Sequence, residues 1–336
     1  MKILFSSYAF RPGVGGIETV AEILADEFAS AGHEVELITE TAGEDPEPLG
    51  YAVTRRPSLP KVFSLLGWCD LFFQNNISLR TLLPALALGK PSIVVHHTWI
   101  RNVRGELGWN DRLKRMLLSR VTNVAISQAI ADDLSQPCVI NANPYRDDSF
   151  RLIAGVARNR ALVFLGRLVS DKGVDLLLRA LEEIRQEGHT PTLTIIGTGP
   201  EEGALKALTH ELNLQEQVEF AGAKSGEELA RLLNQHRIMV VPSRWAEPFG
   251  LVALEGIACG CAVIGSEEGG LKEAMGPCGI TFKNGDQGSL AAALKRLLRD
   301  GALEESLRQA GPAHLSRFKA KEVARVYLEL IEDSLR

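Results

Sequence analysis

Apolar runs alternate with amphipathic stretches along the whole chain, and this alternation indicates its architecture. Short apolar and β-branched runs are typical of buried strands, whereas apolar positions every three to four residues are typical of helices. In the first half, the runs predict strands at Ile3–Ser7, Val35–Thr39, Tyr51–Thr54, Leu71–Gln74, Ile93–His96 and Asn123–Ile126. In the second half, they predict strands at Leu162–Leu165, Leu193–Ile196, Val218–Phe220, Ile238–Val241, Val263–Ile264 and Gly279–Thr281.

Helical periodicity occupies the segments between these runs. The predicted helices include Ile17–Ser30, Ser78–Leu88, Val174–Gln186, Glu201–Leu212, Gly226–Asn234, Leu290–Asp300 and Lys319–Leu335. Strands that alternate with helices indicate parallel sheets covered by helices on both faces. The pattern therefore predicts an α/β fold with doubly wound sheets.

The length of the chain indicates more than one domain, because 336 residues exceed one ordinary domain. The segment from Asn141 to Arg160 is rich in turn residues and has little periodicity, so it is the predicted linker. We predict a Rossmann-like first domain at residues 1–150, a Rossmann-like second domain at 151–316 and a final helical segment at 317–336.

The composition is that of an ordinary globular protein, with 45% hydrophobic and 24% charged residues. Its five cysteines are odd in number and lie mostly in apolar surroundings, which disfavours a disulfide framework or a zinc site. The apolar runs are too short to span a bilayer, and the first of them is too short for a signal peptide. We expect a cytoplasmic protein with no nucleic-acid partner.

Charge is distributed unevenly along the chain. Residues 55–120 contain eleven basic and three acidic residues, a local net charge of +8 within a total of −5. The segment from Trp109 to Arg120 alternates basic residues with apolar ones at helical spacing, namely Leu113, Met116, Leu117 and Leu118. Such a basic amphipathic helix could contact an anionic membrane surface or an anionic acceptor. The alternative is a solvated helix whose apolar side faces the core.

Residues 243–255, with the sequence SRWAEPFGLVALE, place two carboxylates at a strand–loop–helix junction. Glu247 lies in the predicted loop and Glu255 on the helix that follows. Ligands bind at the carboxyl ends of strands in open α/β sheets, so both side chains would face that crevice. Pro248 and Gly250 shape a loop whose amides can face an anion. The alternative is a helix start whose acids complement its dipole.

This string resembles the paired-glutamate motif of retaining family 4 glycosyltransferases, since its Pro-Ser, Glu-Pro-Phe-Gly-Leu and second Glu all fall in register. The resemblance implies the GT-B fold, with two domains facing across a cleft and a final helix that returns to the first domain. It also implies that Glu247 lies beside the donor sugar and that Glu255 holds the nucleotide ribose. Phe249, Gly250 and Leu251 would border the donor. The segment from Glu268 to Glu273 resembles the Gly-Gly turn near the nucleotide in this family.

A glycine loop, RPGVGGIE at residues 11–18, follows the first predicted strand. Glycine permits a tight turn and close backbone approach, but Glu18 replaces the third glycine of the dinucleotide fingerprint, which disfavours a dinucleotide site. The loop is similar to the Gly-Gly-x-Glu loop of family 4 enzymes. This similarity implies that Gly15 and Gly16 lie against the donor diphosphate and the acceptor. The alternative is an ordinary strand-to-helix turn.

Two cations follow the first strand of the second half, in the string GRLVSDKG at residues 166–173. Cations are disfavoured at helix starts, whereas two of them can neutralise a leaving diphosphate. The string resembles the Gly-Arg-Leu…Lys-Gly motif of the family, in which Arg167 and Lys172 match the two diphosphate-binding cations. The alternative is surface charge at a helix start.

Two further turns border the nucleotide by resemblance. Gly197 and Gly199 follow the predicted strand Leu193–Ile196, and Ala223 with Lys224 occupy the position where the base lies in the family. The alternative for both turns is ordinary loop structure.

Two histidines, His96 and His97, end the apolar strand that begins near Ile93. His97 matches the family histidine that lies beside the donor sugar, although this chain has Thr98 where the family often has Asp. Ser127 is a candidate helix N-cap. The turn Asn143-Pro144-Tyr145 resembles a family turn before the linker and is expected to be structural.

Neither an Asp-x-Asp pair nor a His/Cys cluster with metal-ligand spacing is present in the sequence, so we expect no metal and no resident cofactor. The resemblance implies a retaining transferase that moves a hexose from a UDP- or GDP-sugar to a glycan or lipid-linked acceptor, by front-face attack. Glu247, His97, Arg167 and Lys172 are the candidate catalytic residues. A nucleotide-sugar epimerase on the same fold and a catalytically inactive nucleotide-sugar-binding scaffold are the alternatives.

Overall fold

The computed structural model describes residues 1–44, 48–101 and 105–334. The chain divides into two compact units, the first formed by Met1–Arg146 and Arg317–Arg336 and the second by Asp147–Ser316. Within each unit, every strand pairing among the described residues is parallel, and helices connect the strands. The predicted pair of doubly wound, Rossmann-like α/β domains is therefore confirmed.

The described part of the first unit contains a seven-stranded sheet. Its strands are β1 (Lys2–Ser7), β2 (Glu34–Thr39), β3 (Ala52–Arg55), β4 (Leu71–Asn75), β5 (Ser92–His96), β6 (Thr122–Ala125) and β7 (Val139–Ile140). Its connecting helices are α1 (Gly16–Ser30), α2 (Leu59–Trp68), α3 (Leu79–Ala87), α4 (Trp109–Leu117) and α5 (Gln128–Leu134). The strand order is β3-β2-β1-β4-β5-β6-β7, so the direction of winding reverses between β1 and β4.

The second unit contains a six-stranded sheet. Its strands are β8 (Arg160–Leu165), β9 (Leu193–Ile196), β10 (Val218–Gly222), β11 (His236–Val241), β12 (Ala262–Ser266) and β13 (Gly279–Phe282). Its helices are α6 (Val174–Gln186), α7 (Glu202–Glu211), α8 (Gly226–Asn234), α9 (Leu251–Ala258), α10 (Leu271–Met275), α11 (Gln287–Arg299), α12 (Gly301–Gln309) and α13 (Gly311–Leu315). The strand order is β10-β9-β8-β11-β12-β13, with the reversal between β8 and β11.

The predicted strands are all present because the central strands are covered on both faces. β4, β5 and β12 are buried at every position, and strands buried on both faces have continuous apolar sequences. Helix α2 was not predicted, although Ser58 caps it through a hydrogen bond from the amide of Lys61, at 3.4 Å, and Pro60 lies in its first turn.

The last helix of the chain, α14 (Ala320–Asp333), belongs to the first unit and packs on α1. The end of the predicted helix at Leu335 lies outside the described residues. The Asn141 side chain donates a hydrogen bond to the carbonyl of Val323 at 3.2 Å, which fixes α14 beside the end of the sheet. In the described part of the chain, we find no helix that is both long and apolar enough to cross a bilayer.

An aromatic cluster joins α14 to the core of the first unit. The rings of Phe5 and Phe73, on adjacent strands, lie 4.9 Å apart, and Phe28 of α1 meets Phe73 edge-on at 5.2 Å. Tyr327 of α14 meets Phe73 edge-on at 5.4 Å. Tyr327 is fully buried, and within the described ranges its hydroxyl has no hydrogen-bond partner. Edge-to-face rings add to the free energy of simple burial.

We predict opposite outcomes for two substitutions at Tyr327. Tyr327→Ala should lower the free energy of unfolding of the first unit by about 3–5 kcal/mol, because it leaves a cavity among three phenylalanines. Tyr327→Phe should be neutral or stabilising, because it removes a buried hydroxyl that has no partner. Urea unfolding followed by tryptophan fluorescence measures both. A destabilising Tyr327→Phe would show that the hydroxyl has a stabilising interaction.

Candidate functional site

The two loops at the reversal point of the second sheet carry the strongest cluster of charged groups. β8 and β11 are neighbouring parallel strands, so the segments that follow them, 166–173 and 242–250, leave the same edge of the sheet. Such a reversal opens a crevice at the carboxyl ends of the strands, where ligands bind. Arg167 and Lys172 lie in the first loop, and Glu247 lies in the second.

An ion pair joins the two loops. Lys172 Nζ lies 2.6 Å from Glu247 Oε1, and Ser243 Oγ donates to the same oxygen at 2.5 Å. Glu247 is only 8% exposed, and Ser243 is fully buried. A carboxylate withdrawn from water needs both an opposite charge and hydrogen-bond donors, and these two side chains supply them.

Both members of this ion pair can make further hydrogen bonds to a ligand. Both described hydrogen bonds to Glu247 fall on Oε1, and no described residue hydrogen-bonds to Oε2. An ammonium has three N–H donors, so Lys172 can hold Glu247 and a further anion together. Arg167 is exposed and has no ion-pair partner among the described residues. Two cations and one carboxylate oxygen are therefore available to a ligand.

Close backbone contact fixes the two loops against each other. A side chain at Gly173, where φ is +67°, would place its Cβ 2.0 Å from the carbonyl oxygen of Pro242. The amide of Arg244 donates to the carbonyl of Asp171 at 2.8 Å, and its guanidinium binds Asp175 at 2.5 and 2.7 Å. Burial opposes the ionised form of Asp175, but the hydrogen bonds from Arg244 outweigh it, so the pKa of Asp175 lies below its usual value.

The backbone of Glu247 is held by the turn that follows β12. Glu247 and Gly269 form a parallel β-bridge, and the amide of Gly270 donates to the carbonyl of Glu247 at 2.7 Å. Gly269 has a φ of +83°, and its Cβ would lie 2.2 Å from the same carbonyl oxygen. The turn at Gly269 and Gly270 therefore positions Glu247.

The turn after β9 packs in the same way. A Cβ at Gly197 would lie 1.9 Å from the carbonyl oxygen of Gly166, and one at Gly199 would lie 2.3 Å from that of Leu168. The amide of Leu168 also donates to the carbonyl of Thr198 at 2.9 Å. Glycine is thus required at both positions by backbone packing against the loop that carries Arg167.

The remaining candidates of the second unit occupy the places that the sequence indicated. Gly250 has a φ of +104° and precedes α9, which begins at Leu251 and carries Glu255 one turn later, partly exposed. Phe249 is buried. Ala223 and Lys224 follow β10, where Lys224 Nζ pairs with Glu228 at 2.6 Å.

In the first unit, Gly15 and Gly16 lie at the start of α1 beside an acidic side chain. A Cβ at Gly15 would lie 2.5 Å from Glu18 Oε2, so the Glu18 carboxylate already occupies this helix end. A carboxylate complements the helix dipole and repels a second anion. This loop is consequently better suited to a hydroxyl group than to a diphosphate.

His97 is buried at the end of β5, where Asn75 of the neighbouring strand fixes its tautomer. Asn75 Nδ2 lies 3.2 Å from the carbonyl of Ile17, which can only accept, so Asn75 Oδ1 must receive the hydrogen bond from His97 Nε2, at 2.6 Å. His96 is held in the same way by Asn123 Oδ1, at 3.0 Å. In their neutral form both rings therefore carry the proton on Nε2.

Burial keeps these rings neutral in acid. Desolvation, with a smaller contribution from the charge of His96, lowers the pKa of His97 to about 3. Desolvation likewise lowers the pKa of His96 to about 4, and His96 Nδ1 is buried with no partner in the described part of the chain. Protonation of His96 would place a hydrogen on Nδ1, where no acceptor among the described residues could receive it.

A cavity of about 270 Å³ opens at the reversal point of the first sheet, between the segments that follow β1 and β4. Its polar lining includes Tyr8, Asn76, Ser78, Asn110 and Lys114. Asn110 and Lys114 come from α4, one turn apart. The cavity therefore offers hydroxyl, amide and ammonium groups to a polar ligand.

Comparison with known proteins identifies the family and the fold of the chain. The family model described as Glycosyl transferases group 1 matches residues 153–314, and the model described as Glycosyltransferase Family 4 matches residues 14–146. HepE of Anabaena, in complex with UDP, superposes with a TM-score of 0.83 at 19% identity, over 99% of this chain and 100% of that one. The chain belongs to the GT-B glycosyltransferases.

Relatives match this chain over different lengths. The D-inositol 3-phosphate glycosyltransferase of Corynebacterium jeikeium is 32% identical over 185 residues, which cover 52% of this chain and 44% of the relative. The chain therefore spans less than half of that protein. The glycogen synthase of Mycobacterium tuberculosis is 26% identical, and the match covers 98% of this chain and 94% of the synthase.

Several residues at the candidate sites were not predicted from the sequence. Ser243 stands four positions before Glu247, but nothing in the string identified its hydroxyl as a partner of the carboxylate. Asn75 and Asn76 follow an apolar strand, and that position alone could have indicated them. Ser127 is confirmed as an N-cap, since its Oγ accepts from the amide of Ile130 at 3.2 Å.

The lowered pKa values of His96 and His97 predict that the first unit of the chain is sensitive to acid. A pKa lowered on folding contributes stability above the unfolded value of about 6.5, and this contribution is lost as pH falls towards 4. Each of His96 and His97 should lower the free energy of unfolding by about 1.4 kcal/mol for every unit that the pH falls in that window. Urea unfolding at several pH values between 7.5 and 4.5 measures the slope.

His97→Gln is the matched variant, because it keeps a donor for Asn75 Oδ1 and cannot be protonated. Its stability should fall less steeply with acid than that of the wild type. Parallel profiles for the two proteins would show that His97 is not held neutral by the fold.

Proposed function

We propose that the chain is a retaining glycosyltransferase that moves a hexose from a UDP- or GDP-sugar to a glycan or lipid-linked acceptor. The observation that carries the proposal is the Lys172–Glu247–Ser243 cluster at the reversal point between β8 and β11. It combines a cation for a leaving anion with a carboxylate for a developing positive charge, as glycosyl transfer requires.

The diphosphate of the donor binds Arg167 and Lys172. The exposed guanidinium of Arg167 can grip two phosphate oxygens, and Lys172 can donate to a third while it keeps Glu247. These cations neutralise the charge that grows on the diphosphate as it leaves, which is the role that a metal ion has in other transferases. We propose no metal and no resident cofactor for this reaction.

The sugar binds beside Glu247. As the bond between the anomeric carbon and the phosphate oxygen breaks, positive charge develops on the sugar ring, and Glu247 Oε2 faces that charge. The acceptor hydroxyl attacks from the face that the diphosphate leaves and transfers its proton to a departing phosphate oxygen. The products are the glycosylated acceptor with retained configuration and the nucleoside diphosphate. His97 is a further proposed contact of the sugar, through its neutral imidazole.

The nucleoside occupies the adjoining turns of the second unit. We place the ribose at Glu255 and the base near Ala223 and Lys224, with the other donor contacts at Gly15, Gly16, Gly197, Gly199, Phe249, Gly250 and Leu251. At Gly15, the neighbouring Glu18 carboxylate favours a sugar or acceptor hydroxyl over the diphosphate. The complexes of HepE with UDP and with UDP-glucose make these the first compounds to test.

The acceptor binds in the first unit, in the cavity that Lys114 and Asn110 line. Lys114 gives the cavity a cation, and residues 55–120 carry a local charge of +8. Both features favour an acceptor with an anionic group, such as a phosphorylated lipid-linked glycan or an acidic sugar.

We predict that Lys172→Ala weakens nucleoside diphosphate binding by about 10- to 100-fold, because it removes a charge-assisted hydrogen bond from a partly buried site. Calorimetric titration with UDP, GDP, ADP and dTDP, with and without EDTA, measures the effect. Lys295→Ala is the control, since both lysine side chains are 24% exposed and paired with a glutamate, at 2.6 and 2.7 Å. Equal affinities for the two variants would contradict the assignment of the diphosphate to Lys172.

We predict that Glu247→Gln retains nucleotide affinity within a few-fold and loses about 100-fold or more in sugar transfer, because it keeps the shape and removes the charge. Radiolabelled transfer from the donor that binds, with NMR of the product anomer, measures rate and stereochemistry. Glu187→Gln, at the glutamate paired with Lys295, is the control. A product of inverted configuration would contradict the retaining mechanism, and full activity of Glu247→Gln would contradict the role of Glu247. Release of an epimer of the donor sugar would show that the chain is an epimerase instead.

A further inference from the structure

The solvent side of α4 carries large apolar side chains, which the alternative of a helix with its apolar side in the core does not explain. Trp109 is 87% exposed and Met116 is 66% exposed, whereas Leu117 is buried. Successive residues of a helix are separated by about 100°, so Trp109, Arg112 and Met116 lie on one stripe. We call these three residues the α4 ridge.

Positive charge accompanies the ridge. Arg112 of the ridge and Arg120, in the 3-10 turn that follows α4, are exposed, and neither has an ion-pair partner among the residues that the structure describes. Arg115 is different, because it pairs with Asp133 at 2.8 Å and therefore belongs to the folded core of the unit. The ridge thus combines exposed apolar groups with unneutralised cations, and it lies in the stretch of local charge +8.

The opposite side of α4 lines the cavity of the first unit. Asn110 and Lys114 are one turn apart and both contribute to its wall. In a helix they are rotated by roughly 100–160° from the stripe of Trp109 and Met116. The same helix therefore presents polar groups to a cavity and an apolar, cationic ridge to solvent.

We propose that the α4 ridge docks the protein on the surface of an anionic lipid bilayer. Trp is favoured at the level of lipid headgroups, where its ring is buried and its N–H remains hydrated. Met116 would enter the boundary of the acyl chains beside it, and Arg112 and Arg120 would lie at the lipid phosphates. The charge complementarity selects an anionic membrane over an apolar protein partner.

The docking is peripheral and reversible. A nine-residue helix is about 13 Å long and carries two large apolar side chains, far less than stable anchoring requires. Attraction between the arginines and anionic lipids is screened by salt, so the association weakens as ionic strength rises. A docked α4 would hold the wall of the cavity close to the membrane, where a lipid-linked acceptor resides. This last consequence rests on the proposed function, whereas the docking does not.

Vesicle co-sedimentation of the full chain tests the proposal without donor or acceptor. The probes are sonicated vesicles of phosphatidylcholine alone and of phosphatidylcholine with phosphatidylglycerol. We expect the protein to pellet with the anionic vesicles at low salt, to remain in solution with the neutral ones, and to be released by high salt. Arg112→Glu and the double variant Trp109→Ala/Met116→Ala should each lower the affinity for anionic vesicles by roughly tenfold or more.

Matched controls carry the same changes on other exposed side chains. Leu152→Ala removes an apolar side chain that is 63% exposed in the second unit, and Arg296→Glu reverses an exposed charge on α11. Both should bind anionic vesicles as the wild type does. The proposal is overturned if the wild type ignores anionic vesicles, if it binds neutral ones equally, or if ridge and control variants bind alike. None of these outcomes depends on whether the protein transfers a sugar.

Discussion

The carboxylate of Glu247 is nearly withdrawn from water, and its charge has to be balanced within the second unit. Burying an ion without a partner costs several kcal/mol, so the fold must bring Lys172 and Ser243 to the same oxygen. Lys172 can reach it only because the loops after β8 and β11 pack backbone against backbone. The absence of a side chain at Gly173 permits that contact, since a Cβ there would meet the carbonyl of Pro242. Glycine at this position therefore allows the charge of Glu247 to be balanced by Lys172.

The fold was largely predictable because its strands are covered on both faces. Continuous apolar runs such as those of β4 and β5 are unambiguous, and the sheets confirm them. The paired-glutamate string and the two cations were also visible in the sequence. The ion pair between Lys172 and Glu247 could not be predicted, because the two residues are 75 positions apart and become neighbours only when β8 and β11 pair. The contribution of Ser243 depends on the same pairing.

Short helices and buried histidines show where sequence patterns are insufficient. α4 has apolar residues on two sides, and a nine-residue helix is too short for periodicity to decide which side is buried. The surrounding unit decides this, and it leaves Met116 in solvent while Leu117 enters the core. For His97, the sequence indicated a polar group at the end of a strand. Its protonation state is determined by Asn75, which the adjacent strand supplies.

The turn after β9 has a consequence for protein engineering. Gly197 and Gly199 touch the backbone of the loop that begins at Gly166, and that loop in turn touches the one that carries Glu247. The three loops consequently form one interlocked element, in which main-chain contacts add to the ion pair between Lys172 and Glu247. Exchanging the loop that begins at Gly166 with that of a relative would create a mismatch at both junctions, and exchanging either of the other two loops would create one. A chimera that exchanges the whole second unit would preserve all of them, so recombination at the unit boundaries is the route that this architecture permits.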